Sequence, residues 1–396
     1  MEQAHLYLSA KDAAAILGVN MQTLYAYVSR KMLRSEKIDG SRARRYWRAD
    51  VERLAGKPDP QAPALPVDTE LASATRITLI TGQRLFFRGR DVAELAQSET
   101  VESMAALLWQ QRLAGWFAQP AAALPGVAAG ILQGLDGVGI LEKAGAIFPL
   151  LERADPRAYD LTPAGYARTG VDVLRWFAAL VVGAHAPADG PLHLFVARAL
   201  QAPAGYDEVI RTLFVLVADH EFDPITYAVR AVANVGVTPF QAVTAGLIAS
   251  QGQRFQAERY GVAARFLQEI LAADDGAAPV VERLRHGEAL PGFSGAAGGA
   301  DIRTTILMAA LGRVAGADPL YQRLCAAQRM ALDSAHATMD FIFPAMFVGY
   351  RLGLKGDALA IALIGRLVGW IAHAMEQYHE HALIRPRARY AGLLPA

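Results

Sequence analysis

Four stretches carry side chains that could do chemistry: Asp219-His220-Glu221, Asp301 with Arg303, Asp340 between Met339 and Phe341, and Arg385, Arg387 and Arg389 near the end. A carboxylate can remove a proton, an imidazole can hydrogen-bond a carbonyl, and guanidinium groups grip carboxylates with two parallel bonds. Each also has a bland reading. A histidine on an apolar helix is most often a satisfied core residue, an Asp before a helix is often its cap, and arginines in a tail are ordinarily a solvated face. His336 and His373 read as structural. A single cysteine, Cys325, can form no intrachain disulfide and gives no metal-site spacing, so no metal is expected. The Gly-rich run from Gly292 to Gly299 lacks the spacing of a phosphate loop.

The elements that must position these residues are mostly helical. In 396 residues, 53% are hydrophobic and 19% charged, which suits two or three domains. Helical periodicity runs through Val101 to Trp109, Ala167 to Ala184, Tyr206 to Asp219, Pro224 to Val235, Pro239 to Ser250 and Ala358 to His379. Thr75 to Ile80 and Arg84 to Phe87, around Thr81-Gly82, read as a hairpin. Nearer the start, Ser9 can cap a helix Ala10 to Leu17, Gly18 can end it, and Asn20 can cap a second helix from Met21 to Ser29. Leu8, Ile16, Leu17, Val19, Leu24 and Val28 are the expected small core of that part. Four prolines between Lys57 and Pro66 mark a linker.

The longest apolar stretch, Ala358 to Ala374, contains Arg366 and His373, so no membrane span is expected. The first residues lack a secretory pattern, and the cytoplasm is the expected compartment. Residues 1–57 hold eleven Lys and Arg against six Asp and Glu, a basic arm of +5 on a body of −4. That asymmetry points to a polyanionic partner.

The body resembles the citrate synthase family. The resemblance is carried by Leu85-Phe86-Phe87-Arg88-Gly89, Ala218-Asp219-His220-Glu221 and Thr338-Met339-Asp340-Phe341. The run from Gly365 to Gln377, with Gly369-Trp370 and His373 inside it, and Leu383-Ile384-Arg385-Pro386-Arg387 complete it. It implies an all-α citrate synthase fold, a large helical domain with a smaller helical domain inserted, preceded by a small winged helix-turn-helix module. It also implies a homodimer that condenses acetyl-CoA with oxaloacetate by a Claisen reaction. The expected division is a module 1–57, a linker 58–69, the large domain in 70–255 and 336–396, and the small domain in 256–335. By motif position Asp340 would be the general base, His220 would contact the keto acid, and Arg303 and Arg385 would bind its carboxylates. Pro291, Gly292 and Phe293 would lie where the family binds CoA, which would be substrate or ligand rather than a permanently bound cofactor.

Three departures from the family pattern bear on activity. Phe255 falls where the family places the histidine that holds the enolate, and Gly295 where it places the histidine that polarises the ketone. Family members also continue further to an arginine that enters the partner's site, whereas this sequence ends eleven residues after Arg385. Losing one preorganised donor costs on the order of 10²–10³ in rate, so ordinary citrate synthesis is expected to be lost or weakened. The alternatives are an active citrate or 2-methylcitrate synthase, or another acyl-CoA transferase, with Ser294, Arg254 or Gln253 as substitute donors, and a non-catalytic subunit paired with a complete paralogue.

The start of the chain resembles the MerR and excisionase type of helix-turn-helix, through Tyr7 to Val19 and Thr23-Leu24-Tyr25-Ala26-Tyr27-Val28. Gln22 and Tyr25 on the second helix, Arg30, Lys31 and Arg34 beyond it, and Arg44 and Arg45 with Arg42 and Arg48 on a wing-like turn are the expected contacts to duplex DNA. Coupled to a carboxylate or CoA pocket, such a module would make a ligand-responsive DNA-binding protein.

Overall fold

Ser9 accepts a hydrogen bond from the Asp12 N–H at 3.2 Å and opens the helix Ala10–Leu17, which Gly18 ends in the left-handed region at φ 63°. Asn20 accepts from the Thr23 N–H at 2.9 Å and opens Met21–Ser29. Both helices fall between the caps that the sequence supplies. The computed structural model describes residues 7–30, 32–38, 41, 43–55, 74–82, 84–295, 300–379 and 384. Lys31, Arg42, Arg385, Arg387, Arg389 and the linker 58–69 lie outside the described residues.

Tyr7–Ser9, Ser35–Lys37 and Arg44–Trp47 form an antiparallel sheet with the third strand in the middle, Leu8 and Ser35 both opposite Tyr46. Arg48–Ala55 follows as a helix. Leu8, Ala13, Ala14, Leu24, Leu33, Tyr46 and Val51 make a core of their own. Two expectations need correction. Ile16 is 41% exposed, because the helix turns its Ala10, Ala13, Ala14 and Leu17 face inward. Arg44 and Arg45 belong to a strand and Arg48 to a helix, so they do not lie on a turn. The Gly82 N–H donates to Glu52 at 2.9 Å and joins this part to the body.

In the body, Thr78–Thr81 and Arg84–Phe87 pair as an antiparallel hairpin with Thr81 opposite Arg84, and Arg90–Asp91 adds a third strand. The first strand begins three residues later than expected. The Thr75 hydroxyl and Arg76 N–H turn aside to Glu376, both at 2.8 Å.

Helices dominate the rest. The helix Ala360–His379 is buried on every face and runs through the main core, against Val101–Trp109, Pro163–Val181, Pro224–Ala233 and Pro239–Ser250. The second of these starts at Pro163 rather than Ala167, because Thr162 caps it and Pro163 fits its first position. The helix from Tyr206 ends at Leu216 rather than Asp219, and that from Pro224 ends at Ala233, just before Gly236 at φ 77°.

Two glycines of the central helix fix where the site lies. A Cβ on Gly365 would sit 2.4 Å from the Phe214 carbonyl oxygen, and one on Gly369 2.2 Å from that of Ala218. Only a glycine permits so close an approach, and it brings the chain bearing Asp219 and His220 onto the helix that bears Arg366. Across the cavity, Phe293–Gly295 pairs antiparallel with Ala337–Met339, Ser294 opposite Thr338, and delivers Asp340 at the strand end.

Candidate functional site

His220, Arg303 and Asp340, drawn from three separate segments, line one cavity of about 480 Å³. The Asp340 N–H donates to the Gly292 carbonyl at 2.8 Å, and the Ser294 hydroxyl donates to the Asp340 carboxylate. Arg303 stands in the first turn of Ile302–Ala315, where Asp301 is the cap. Its guanidinium donates to Asp301 through Nε at 3.1 Å and Nη2 at 2.6 Å and lies 4.6 Å from the Phe341 ring centre. Burial pushes the Asp301 carboxyl up, but its bonds with Arg303 outweigh that and hold it below its ordinary value.

A charged network runs from the cavity lining into the core. Arg366 donates through Nη1 to Asp219 at 2.7 Å and through Nη2 to Asp223 at 2.9 Å and Thr226 at 2.5 Å. Asp219, fully buried, also accepts from the Thr78 hydroxyl and the Glu221 N–H and meets His373 Nε2 at 3.2 Å. Burial opposes its charge, yet His373 and Arg366 hold it far below the usual carboxylate range. His373 is itself fully buried between Asp219 and Arg230 and serves the structure. His220 opens onto the cavity, but the surrounding protein and the positive charges of Arg303 and Arg366 lower its pKa to about 4. At neutral pH it is therefore an uncharged imidazole that can donate one hydrogen bond and accept another.

Other residues singled out in the sequence lie elsewhere. The described lining does not include Pro291, Gly292 or Phe293; Phe293 instead packs against Phe343 and Phe266, with ring centres 5.2 and 6.2 Å away. Gln253 and Arg254 are also absent from that lining, and so is Gly295. Phe255 lies in the helical segment Gln253–Phe255, which runs on directly into Gln256–Gly261. Sequence reasoning missed Arg366 and Asp223, which both line the cavity. The available signal for Arg366 was a lone cation in an otherwise apolar helix, where an unpaired charge would be costly. Among the described residues no group of three or more His, Cys, Asp or Glu could hold a metal ion.

On the N-terminal part, Gln22, Tyr25 and Arg30 are exposed, Tyr25 by 52%. Arg34 is bound to Asp50 by Nε at 2.9 Å and Nη2 at 3.0 Å, and Arg45 to Glu36 at 3.0 and 2.8 Å. Arg44 is exposed and donates to the Ser35 hydroxyl at 3.0 Å.

A family profile described as "Citrate synthase, C-terminal domain" matches residues 181–387, just over half of the chain. The chain belongs to the citrate synthase family. Within that family it is 30% identical over 191 residues to the citrate synthase of Haloferax volcanii, covering 47% of this chain and 50% of that protein. It is 25% identical over 221 residues to the 2-methylcitrate synthase of Shewanella oneidensis, covering 54% and 56% of the two chains. The chain thus spans about half the length of the curated relatives it matches. A citrate synthase from Thermoplasma acidophilum, solved as a ternary complex with carboxymethyl coenzyme A and oxaloacetate, superposes with a TM-score of 0.69 at 18% identity. That likeness covers 82% of this chain and 95% of the other and shows the citrate synthase fold. No helix among the described residues is long and apolar enough to cross a membrane.

Proposed function

We propose that this citrate synthase family member binds a small carboxylate or an acyl-CoA in the cavity of His220, Arg303 and Asp340 and catalyses the family condensation only weakly. The observation that carries this reading is the lining itself. A base, Asp340, and four cations, Arg259, Arg303, Lys355 and Arg366, face one space in which His220 is the one histidine among the described lining residues. Condensation of acetyl-CoA with oxaloacetate needs the base plus two separate donors, one for the enolate oxygen and one for the ketone. His220, neutral, supplies one donor. The Ser294 hydroxyl lies outside the described lining and is directed at Asp340. The reading is tested by a CoA-release assay with acetyl- and propionyl-CoA and oxaloacetate, beside calorimetric titration with oxaloacetate and with CoA. Binding of either ligand with turnover far below the ordinary enzyme range of 1–10³ s⁻¹ is expected. Turnover inside that range would overturn it. The proposed assembly is a homodimer in the cytoplasm, with 256–335 as the smaller unit bordering the cavity.

We further propose that residues 1–57 are a winged helix-turn-helix module that binds duplex DNA. The exposed Gln22 and Tyr25 on one face of Met21–Ser29 favour it, with Arg30 and Arg44 exposed nearby. Because phosphate neutralisation releases counterions, binding of the full chain should fall steeply with salt. Arg44→Ala should flatten the slope of log affinity against log salt by about one unit. Arg45→Ala should flatten it less, since Glu36 already engages that guanidinium. Anisotropy titration of the gene's upstream duplex and of a random duplex decides the matter. No binding to either at micromolar protein would leave the module as a docking element.

A further inference from the structure

The described lining of the cavity carries four cationic side chains, Arg259, Arg303, Lys355 and Arg366. It carries four carboxylates as well, Asp223, Asp301, Asp340 and Asp357. Two of the three arginines are each already held by an aspartate that lines the same space, Arg303 by Asp301 and Arg366 by Asp223. Each of those aspartates also caps a helix: Asp301 accepts from the Arg303 N–H at 2.9 Å, and Asp223 accepts from the Thr226 N–H at 2.7 Å.

The two pairs differ in what remains when the aspartate loses its charge. Arg366 keeps a second, fully buried counterion in Asp219, which binds its other terminal nitrogen at 2.7 Å. Burial of Arg366 is therefore satisfied without Asp223. The Asp223 side chain is 35% exposed, against 0% for Asp219, and stands on the cavity side of the guanidinium. A ligand carboxylate approaching Arg366 meets that negative charge beside the guanidinium it seeks.

We propose that Asp223 is a specificity-determining residue, which biases the cavity toward a 2-oxo acid or carbonyl compound with at most one carboxylate and against dicarboxylates. The first carboxylate of a ligand can be met by the remaining donors of the lining. A second carboxylate that reaches for Arg366 meets Asp223, which repels it while occupying the Arg366 nitrogen it would need. This inference rests on the proposal that the cavity binds carboxylates.

Calorimetric titration of the full chain and of its Asp223→Asn variant with pyruvate, a monoanion, and oxaloacetate, a dianion, tests it. Asparagine keeps an oxygen to cap Pro224–Ala233, so the variant is expected to fold, which circular dichroism checks. Asp223→Asn should strengthen oxaloacetate binding by about tenfold or more and pyruvate binding by at most about threefold, because the removed repulsion scales with ligand charge. A pyruvate-to-oxaloacetate affinity ratio equal in the two proteins would overturn the role of Asp223 and leave the carboxylate site standing. Binding of neither acid to either protein would overturn the carboxylate site itself, and this inference with it.

Discussion

Replacing Asp219 by Ala is expected to destabilise the protein by about 3–5 kcal/mol, the usual cost of stripping one partner from a buried ion pair. The reason is the number of groups it serves. Arg366, His373, the Thr78 hydroxyl and the Glu221 N–H all converge on its two oxygens, and it is fully buried. Alanine leaves the Arg366 guanidinium with only the partly exposed Asp223 as counterion and leaves Thr78 without its acceptor. Asp219→Asn should cost less, since an amide oxygen can still accept from Arg366, although its NH₂ must face another donor.

The same carboxylate sets a pH dependence whose sign follows from linkage. Its folded pKa is depressed below the unfolded value of about 3.9, so its contribution is fully present above that value and is lost as pH falls through the folded pKa. Asp219 therefore adds nothing to the stability change between pH 5 and 9 and contributes to unfolding only in strong acid. Urea unfolding of wild type and Asp219→Ala at neutral pH and at about pH 2.5 measures both effects. A loss under about 1 kcal/mol at neutral pH would mean that the network is not holding the hairpin and the central helix together.

How far the sequence could be read depended on whether a signal was local. Ser9, Gly18 and Asn20 are cap residues, and the helices they bound fall at the expected residues. Val101–Trp109 and Pro239–Ser250 were likewise legible, and both begin with a side-chain cap and a capping box. Ends set by tertiary partners were not. Thr75 leaves the hairpin for Glu376, three hundred and one residues away, and the chain stops being helical at Leu216 so that Asp219 can reach Arg366. The pairing of Phe293–Gly295 with Ala337–Met339 had no local trace, because a three-residue strand is too short to show an alternation.

The site shows the same division. Motifs led to His220, Arg303 and Asp340, which share the cavity, and to Pro291, Gly292 and Phe293, which lie outside its described lining. Arg366 and Asp223 went unnoticed because their importance lies in a contact between helices that are far apart in sequence. Gly365 and Gly369 bring the chain that carries Phe214 to Asp219 against the central helix, and a glycine in a helix by itself says only that something comes close.

Asp340→Asn is expected to reduce proton abstraction from an acyl-CoA methyl group by about 10²–10⁴-fold while leaving the fold intact. The amide is nearly isosteric with the carboxylate and can still accept the Ser294 hydroxyl bond, and the backbone bond from Asp340 N–H to Gly292 does not involve the side chain. The melting temperature should therefore stay within about 3 °C of wild type. Overall condensation is a poor readout if turnover is weak, so the base is better measured alone. In heavy water, a positioned carboxylate removes a methyl proton from acetyl-CoA and returns a deuteron, a cycle that needs no polarised ketone. Mass spectrometry of recovered acetyl-CoA reports the exchange. Ser294→Ala is the companion variant: it frees the oxygen of Asp340 that now accepts the serine hydroxyl, and its exchange rate should equal or exceed that of the wild type. Exchange by folded Asp340→Asn at the wild-type rate would remove Asp340 from the base role. It would assign the proton transfer to another group in the cavity, for which His220, neutral and open to the same space, is the one remaining imidazole among the described lining residues.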